Sequence, residues 1–179
     1  MSYSASVTND EQNACFAEWL NAHAAVLHHV ANGFAEGTDR HDLMQELLLA
    51  VWRAVPAFRS GARPSTFIYS VAHNAALTWK RTQRNYQRRV ETYERVADEP
   101  MARAGDGRGR EGETLELIYR EIRGLAPVDR SLILLQLDGL SYADIAAIHG
   151  LTEGNVGARL TRLKQKISHA LKEVIHELR

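Results

Sequence analysis

Asn155, Arg159, Arg162 and Lys166 follow one another at spacings of four, three and four, so a helix carries all four side chains on one face. Their chemistry is that of base-edge readout: in a major groove arginine bonds bidentately to guanine and asparagine to adenine. The neighbouring stripe Val156, Leu160, Leu163 and Ile167 is apolar and turns the same helix onto a core. Just upstream, Ser141-Tyr142-Ala143-Asp144 fits a capping box, and a short helix runs on to His149. Gly150 supplies a turn and Thr152 caps the next helix. Cap, short helix, glycine turn, cap and basic helix is the order of a helix-turn-helix. The same periodicity also admits a plain helical hairpin with a solvated basic face, and the motif serves many repressors.

A second set of donors lies between residues 60 and 84. A loop with Ser60, Arg63 and Ser65 leads into a helix bearing Ser70, His73, Asn74, Lys80, Arg81 and Arg84. Hydroxyls, amides and cations so arranged can hold phosphates and a flipped base of single-stranded DNA. Tyr69 and Trp79 sit among them as stacking or core residues, and Trp79 reads as core. Charge follows the same division. The chain is neutral overall, yet residues 1–60 hold 3 basic against 7 acidic side chains and residues 91–150 hold 7 against 12. Residues 61–90 hold 6 against none, and residues 151–179 hold 6 against 3. Two basic islands in an otherwise acidic chain are a footprint for a polyanion.

The elements that must position these groups are helices. Phe16, Leu20, Leu27, Val30 and Phe34 repeat at helical period, with Gly33 and Gly37 expected to mark the end of that helix. A second helix is predicted from Thr38 or Asp39, carrying Leu43, Leu47, Val51 and Ala54 inward until Pro56. Pro64 suits the first turn of a third, with Ile68, Ala72, Ala75 and Trp79 inward. Residues 98–113 hold four glycines and a proline with no apolar period, as a linker does. Then Leu115, Ile118, Ile122 and Leu125 form another stripe, and Pro127 opens a helix that closes at Asp138-Gly139. The prediction is an all-α chain of two small helical domains joined by a flexible linker, the C-terminal one a helix-turn-helix. Its boundaries are a tail at 1–14, a first domain at 15–90, a linker at 91–114 and a second domain at 115–179.

Composition excludes several classes. Hydrophobic residues at 45% and charged residues at 25% are ordinary for a globular protein. No apolar run approaches the ~18 residues of a membrane span, so a cytoplasmic protein without membrane insertion is expected. One cysteine, Cys15, excludes a disulfide scaffold and reads as a buried thiol. The eight histidines are scattered, and His28-His29 are adjacent rather than at ligand spacing, so no metal, cofactor or catalytic centre is expected.

Asp42-Leu43-Met44-Gln45-Glu46 followed by Val51-Trp52-Arg53-Ala54 resembles the Asp-Leu-Val-Gln-Glu … Val-Trp-Arg signature of extracytoplasmic-function sigma factors. Residues 64–74, Pro-Ser-Thr-Phe-Ile-Tyr-Ser-Val-Ala-His-Asn, are similar to the family's next helix. Residues 139–146 and 150–160 resemble its helix-turn-helix. The likeness spans about residues 16–89 and 115–173, in family order. It implies a non-catalytic subunit that binds core RNA polymerase and promoter DNA. The first domain would read the minus-ten element and the second the minus-thirty-five element. Asp42, Gln45, Glu46, Leu49 and Arg53 share an outward stripe, and with Asp39 they would form the surface for core polymerase. The minus-ten contacts would be Ser60, Arg63, Ser65, Ser70, His73, Asn74, Lys80, Arg81 and Arg84. The minus-thirty-five contacts would be Thr152, Asn155, Ala158, Arg159, Thr161, Arg162 and Lys166.

The sequence departs from the family pattern in four places. Phe67 stands for a usual Trp, Thr78 for a common Asp, and Gly157-Ala158 for a frequent basic residue and Ser. Asp39-Arg40-His41-Asp42 replaces an acidic cluster. A phosphate on Thr38 would restore negative charge beside a helix N-terminus, which makes a Ser/Thr kinase a candidate partner beside an anti-sigma factor. The competing reading is a helix-turn-helix regulator that binds DNA by itself, its first domain a dimerisation or sensor module.

Overall fold

The structure is a computed structural model that describes residues 8–59, 63–93 and 110–177. Helix α1 (Asn9–Phe34) opens on a capping box in which the Glu11 amide donates to Thr8 Oγ1 at 3.3 Å and the Thr8 amide donates to Glu11 Oε2 at 2.8 Å. It buries Trp19, Val26, Leu27, Val30 and Phe34, while Phe16 and Leu20 of the expected stripe are half-buried against the same core. The helix ends at Phe34, between Gly33 and Gly37 as expected. Helix α2 (Gly37–Ala54) starts earlier than expected: Glu36 occupies the N-cap with its side chain turned to Arg123 rather than to the helix amides, and Gly37 adopts φ 57°, which its missing Cβ permits. Leu43, Leu47 and Val51 point inward, and a 3-10 turn over Val55–Ala57 accommodates Pro56. Helix α3 (Pro64–Tyr93) begins on its proline and buries Ile68, Ala72, His73 and Ala76. The three helices pack on one another as one unit. Cys15 is half-buried against their core rather than enclosed, and burial, with Glu18 adding to it, holds its thiol above the ordinary cysteine range.

The second unit contains α4 (Arg110–Arg123), α5 (Pro127–Leu137), α6 (Tyr142–His149) and α7 (Glu153–Glu177). Helix thus occupies both ends of the segment expected as a linker, residues 91–93 and 110–114, and residues 94–109 lie outside the described residues. At the second end α4 starts at Arg110, where Arg110, Glu111 and Glu113 are good helix formers. No strand occurs among the described residues, and no helix there is long and apolar enough to cross a membrane.

The two units pack directly on each other. Helix α5 lies across α1 and α3, and α4 lies against α1, so the buried residues form one continuous core. Gly33 makes the approach possible: a Cβ there would stand 2.5 Å from Leu134 Cδ1. Close packing at this point requires glycine for space, since its φ is ordinary.

Candidate nucleic-acid and protein interfaces

The helix-turn-helix forms as its residues dictate. Ser141 Oγ accepts the Asp144 amide at 3.1 Å, and Gly150 closes α6 in the left-handed region at φ 63°. Thr152 Oγ1 accepts the Asn155 amide at 3.3 Å and so caps α7. Val156, Leu160 and Leu163 are buried beneath α7. Thr152, Asn155, Ala158, Thr161, Arg162 and Lys166 are exposed on its other side. Arg159 differs from these: it is half-buried, 3.0 Å from Asp129 on α5. The expected recognition face is therefore assembled, with one of its cations engaged by an acid of the same unit.

On α3, Arg63, Asn74, Arg81 and Arg84 are exposed, while Ser65, Ser70 and Lys80 are half-buried. Ser60 lies outside the described residues. Lys80, Arg81 and Arg84 line a groove of about 300 Å³ with Leu77, Asn85 and Pro127, at the seam between α3 and α5. Burial lowers the Lys80 pKa, and the nearby Arg130 guanidinium lowers it further. The half-buried Tyr69 hydroxyl is pushed up to about 12, by burial first and then by Asp138.

His73 does not join this set. Its place in the helix period puts it beside Ser70 and Asn74, but it is fully buried between Ser131 of α5 and Phe34 of α1. Ser131 Oγ lies 2.5 Å from His73 Nδ1 and 2.9 Å from His149 Nε2, which links α3, α5 and α6 through one hydroxyl. Burial, reinforced by His149 and His29, pushes the His73 pKa down to about 3, so the imidazole is neutral in this packing. In this packing the second unit occupies the face on which His73 was expected to meet DNA.

The seam between the units holds other polar groups that periodicity did not single out. Arg130, 4% exposed, donates to the Phe34 carbonyl at 3.5 Å, to the Leu125 carbonyl at 3.0 Å, and to the Arg123 carbonyl. These are carbonyls at or beyond the C-terminal ends of α1 and α4, where partial negative charge gathers and a cation is favoured. The guanidinium also stacks 5.1 Å from the Phe34 ring, and burial draws its pKa down to about 10. Arg123 donates to the Asn32 carbonyl at 2.9 Å and pairs with Glu116 at 2.5 Å, while His29 Nδ1 lies 2.5 Å from Asp138 Oδ1. The available signal was Arg130-Ser131 ahead of the apolar run 132–135, polar residues on a helix that is otherwise core.

On α2, Asp42, Gln45, Glu46, Leu49 and Arg53 are all exposed, Leu49 at 38%. The helix packs on α1 and α3, leaving this stripe clear of the second unit. Asp39 leaves the stripe: it turns towards α3, where Gln83 Nε2 donates to its carboxylate at 2.5 Å. Thr38 is exposed on the first turn. Among the described residues no group of three or more histidine, cysteine or acidic side chains is placed to hold a metal ion.

Two family descriptions match the chain in order: sigma-70 region 2 over residues 19–86 and sigma-70 region 4 over residues 115–167. The chain is 29% identical over 145 residues to the ECF RNA polymerase sigma factor EcfG of Rhodopseudomonas palustris, covering 78% of this chain and 74% of that protein. It is 29% identical over 148 residues to the ECF RNA polymerase sigma-E factor of Escherichia coli, covering 76% of each. Its fold is shared with the sigma factor RpoE in the complex with the anti-sigma factor NepR from Bartonella quintana, at TM-score 0.67 and 24% identity over 88% of this chain and 96% of that one. It is also shared with CnrH in the complex with the cytosolic domain of CnrY, at TM-score 0.63 and 19% identity over 90% of each chain. With both promoter-directing regions present, in order and on the expected helices, the chain belongs to the sigma-70 family as an extracytoplasmic-function sigma factor, a non-catalytic subunit that directs RNA polymerase to promoters.

Proposed function

We propose that the three surfaces divide the work of initiation: α2 docks on core polymerase, α3 and the loop before it hold the minus-ten region, and α7 reads the minus-thirty-five element. The observation that carries this reading is the exposed α2 stripe of Asp42, Gln45, Glu46 and Leu49. It sets acidic groups beside an apolar one, away from both cationic faces. Such a mixed patch suits a protein partner, whereas Arg81, Arg84 and Arg162 suit phosphates and bases. The minus-ten and minus-thirty-five elements lie about 25 base pairs apart, or about 85 Å at about 3.4 Å per pair. A compact chain of this length has a radius of gyration of about 16 Å and is about 40 Å across. The packed arrangement therefore cannot reach both elements, and the units separate when the protein acts.

The protein works in the cytoplasm, where its polymerase is. An anti-sigma factor is a fitting inhibitor, by likeness to the complex of RpoE with NepR. Phosphorylation at the exposed Thr38 would act separately, on the α2 surface. The test is run-off transcription with purified core over a library of upstream DNA, with Glu46→Lys as the surface variant. The wild type should select a two-part promoter, and Glu46→Lys should bind core roughly tenfold more weakly with unchanged helicity. Unaltered core affinity would remove α2 from the interface.

A further inference from the structure

The interface that must open is fastened by histidines at its centre. Ser131 Oγ has one proton to donate and two lone pairs. It faces nitrogens of both His73 and His149, at 2.5 and 2.9 Å. His73 Nε2 is buried with no partner. The arrangement with fewest orphan donors has His73 Nδ1–H donating to Ser131 and Ser131 donating to His149 Nε2. In that chain both imidazoles are neutral. A proton added to His73 would create a buried N–H with no acceptor, and a proton added to His149 would remove the acceptor that Ser131 needs.

We propose that the His73–Ser131–His149 chain is a proton-sensitive latch: neutral imidazoles hold the two units closed, and acidification releases them. The surrounding charges favour this direction. Towards His73 come His29 from α1 and His149 from α6, and Tyr69 lies one turn away on α3. Arg130 of α5 lies on the other face of Phe34's neighbourhood, stacked on the ring that His73 also meets at 6.3 Å. His149 meets Arg159 of α7, whose own acid partner is Asp129. Asp138, whose charge reaches Tyr69, is engaged with His29. The His29–Asp138 pair is a further imidazole contact between the two units. Burial and these neighbours lower the proton affinity of both latch histidines in the closed form, His73 to about 3.

The sign follows from proton counting. The closed form binds fewer protons than the open one, so closure is at full strength above the ordinary histidine value of about 6.5 and weakens as pH falls below it. Between pH 7.5 and 5.5 the closed-to-open ratio should drop about tenfold for His73 alone, and further with His149. The consequence for transcription rests on the reading that the units separate to act; the latch itself is tested without polymerase or DNA.

Small-angle scattering of the full chain from pH 7.5 to 5.5 reads separation as a rise in radius of gyration, with circular dichroism checking that the helices persist. The wild type should expand, and His73→Gln with His149→Gln, which cannot take up a proton, should stay compact. An unchanged wild-type radius, expansion of the double variant in parallel, or loss of helix accompanying expansion would each overturn the latch. If the double variant is already open at pH 7.5, the imidazole C2–H resonances of the wild type decide. Uptake of protons by His73 and His149 in step with expansion supports the proposal, and titration near 6.5 with no expansion refutes it.

Discussion

Arg159 and Arg162 stand three residues apart on α7 but are not equivalent. Arg159 is half-buried and held 3.0 Å from Asp129, whereas Arg162 is exposed and its Nε donates only to the Ala158 carbonyl one turn back, at 3.3 Å. A guanidinium free of an acid partner has more to gain at a guanine edge. Arg162→Ala should therefore cost about 1–3 kcal/mol of discrimination at one base pair, read by competition between promoter variants bound to holoenzyme. Equal loss on every sequence would make Arg162 a phosphate contact. Thr38 poses a different question, since Glu36 and not Thr38 caps α2, so its hydroxyl holds no cap bond to lose. Thr38→Ala should then leave core affinity nearly unchanged, while Thr38→Glu or a phosphate should raise it, as measured by titration with core. The same affinity in all three would end the case for control there. At this scale the sequence showed chemistry well and direction less well. Arg162 lies where its spacing placed it, whereas Asp39 and His73, given contact roles by the family resemblance, face other helices in this packing.

At the scale of elements, caps and period were readable because they are local. Ser141, Gly150, Thr152 and Pro64 each occupy the position their chemistry demands. Gly33 lies in the last turn of α1, which ends at Phe34, so a local reading catches the terminus but not what the glycine packs against. Its actual role is long-range: it leaves room for Leu134, 101 residues further on in the chain. A Cβ would meet that leucine's Cδ1, Cδ2 and Cγ at 2.5, 3.0 and 3.2 Å, and Leu134 is fully buried with little space to move aside. Gly33→Leu should therefore wedge α5 away from α1 without harming α1, since leucine favours a helix over glycine by up to about 1 kcal/mol. Unchanged circular dichroism with a larger radius of gyration at neutral pH is the expected outcome. A compact variant with a lowered Tm would instead mean that the wedge strains the core rather than separating the units.

For the whole molecule, the packing of one unit on the other could not be read from periodicity. Its contacts join residues as distant as His29 and Asp138, or Phe34 and Arg130, and each of these looks like an ordinary surface or core residue within its own helix. The packing has a consequence for DNA affinity. The basic stretch 61–90 carries 6 cations and no acid, yet in the closed form Lys80 is half-buried at the seam and Glu116, Glu121, Asp129, Asp138 and Asp144 belong to the unit folded against it. A chain with zero net charge and a recognition helix held about 40 Å or less from its other reading face gains little counterion release on duplex DNA. The free protein should then bind promoter duplex no more tightly than non-specific DNA, with Kd on the order of 10⁻⁶ M or weaker at physiological salt. Gly33→Leu should improve this by less than about tenfold, because separation exposes α3 but does not align it with α7 on the promoter. Core polymerase should supply that alignment and bring tight, sequence-dependent binding. Fluorescence anisotropy on labelled promoter and scrambled duplexes, with and without core, measures all three. Nanomolar, promoter-specific binding by the chain alone would contradict the closed arrangement and favour a regulator that reads DNA without polymerase.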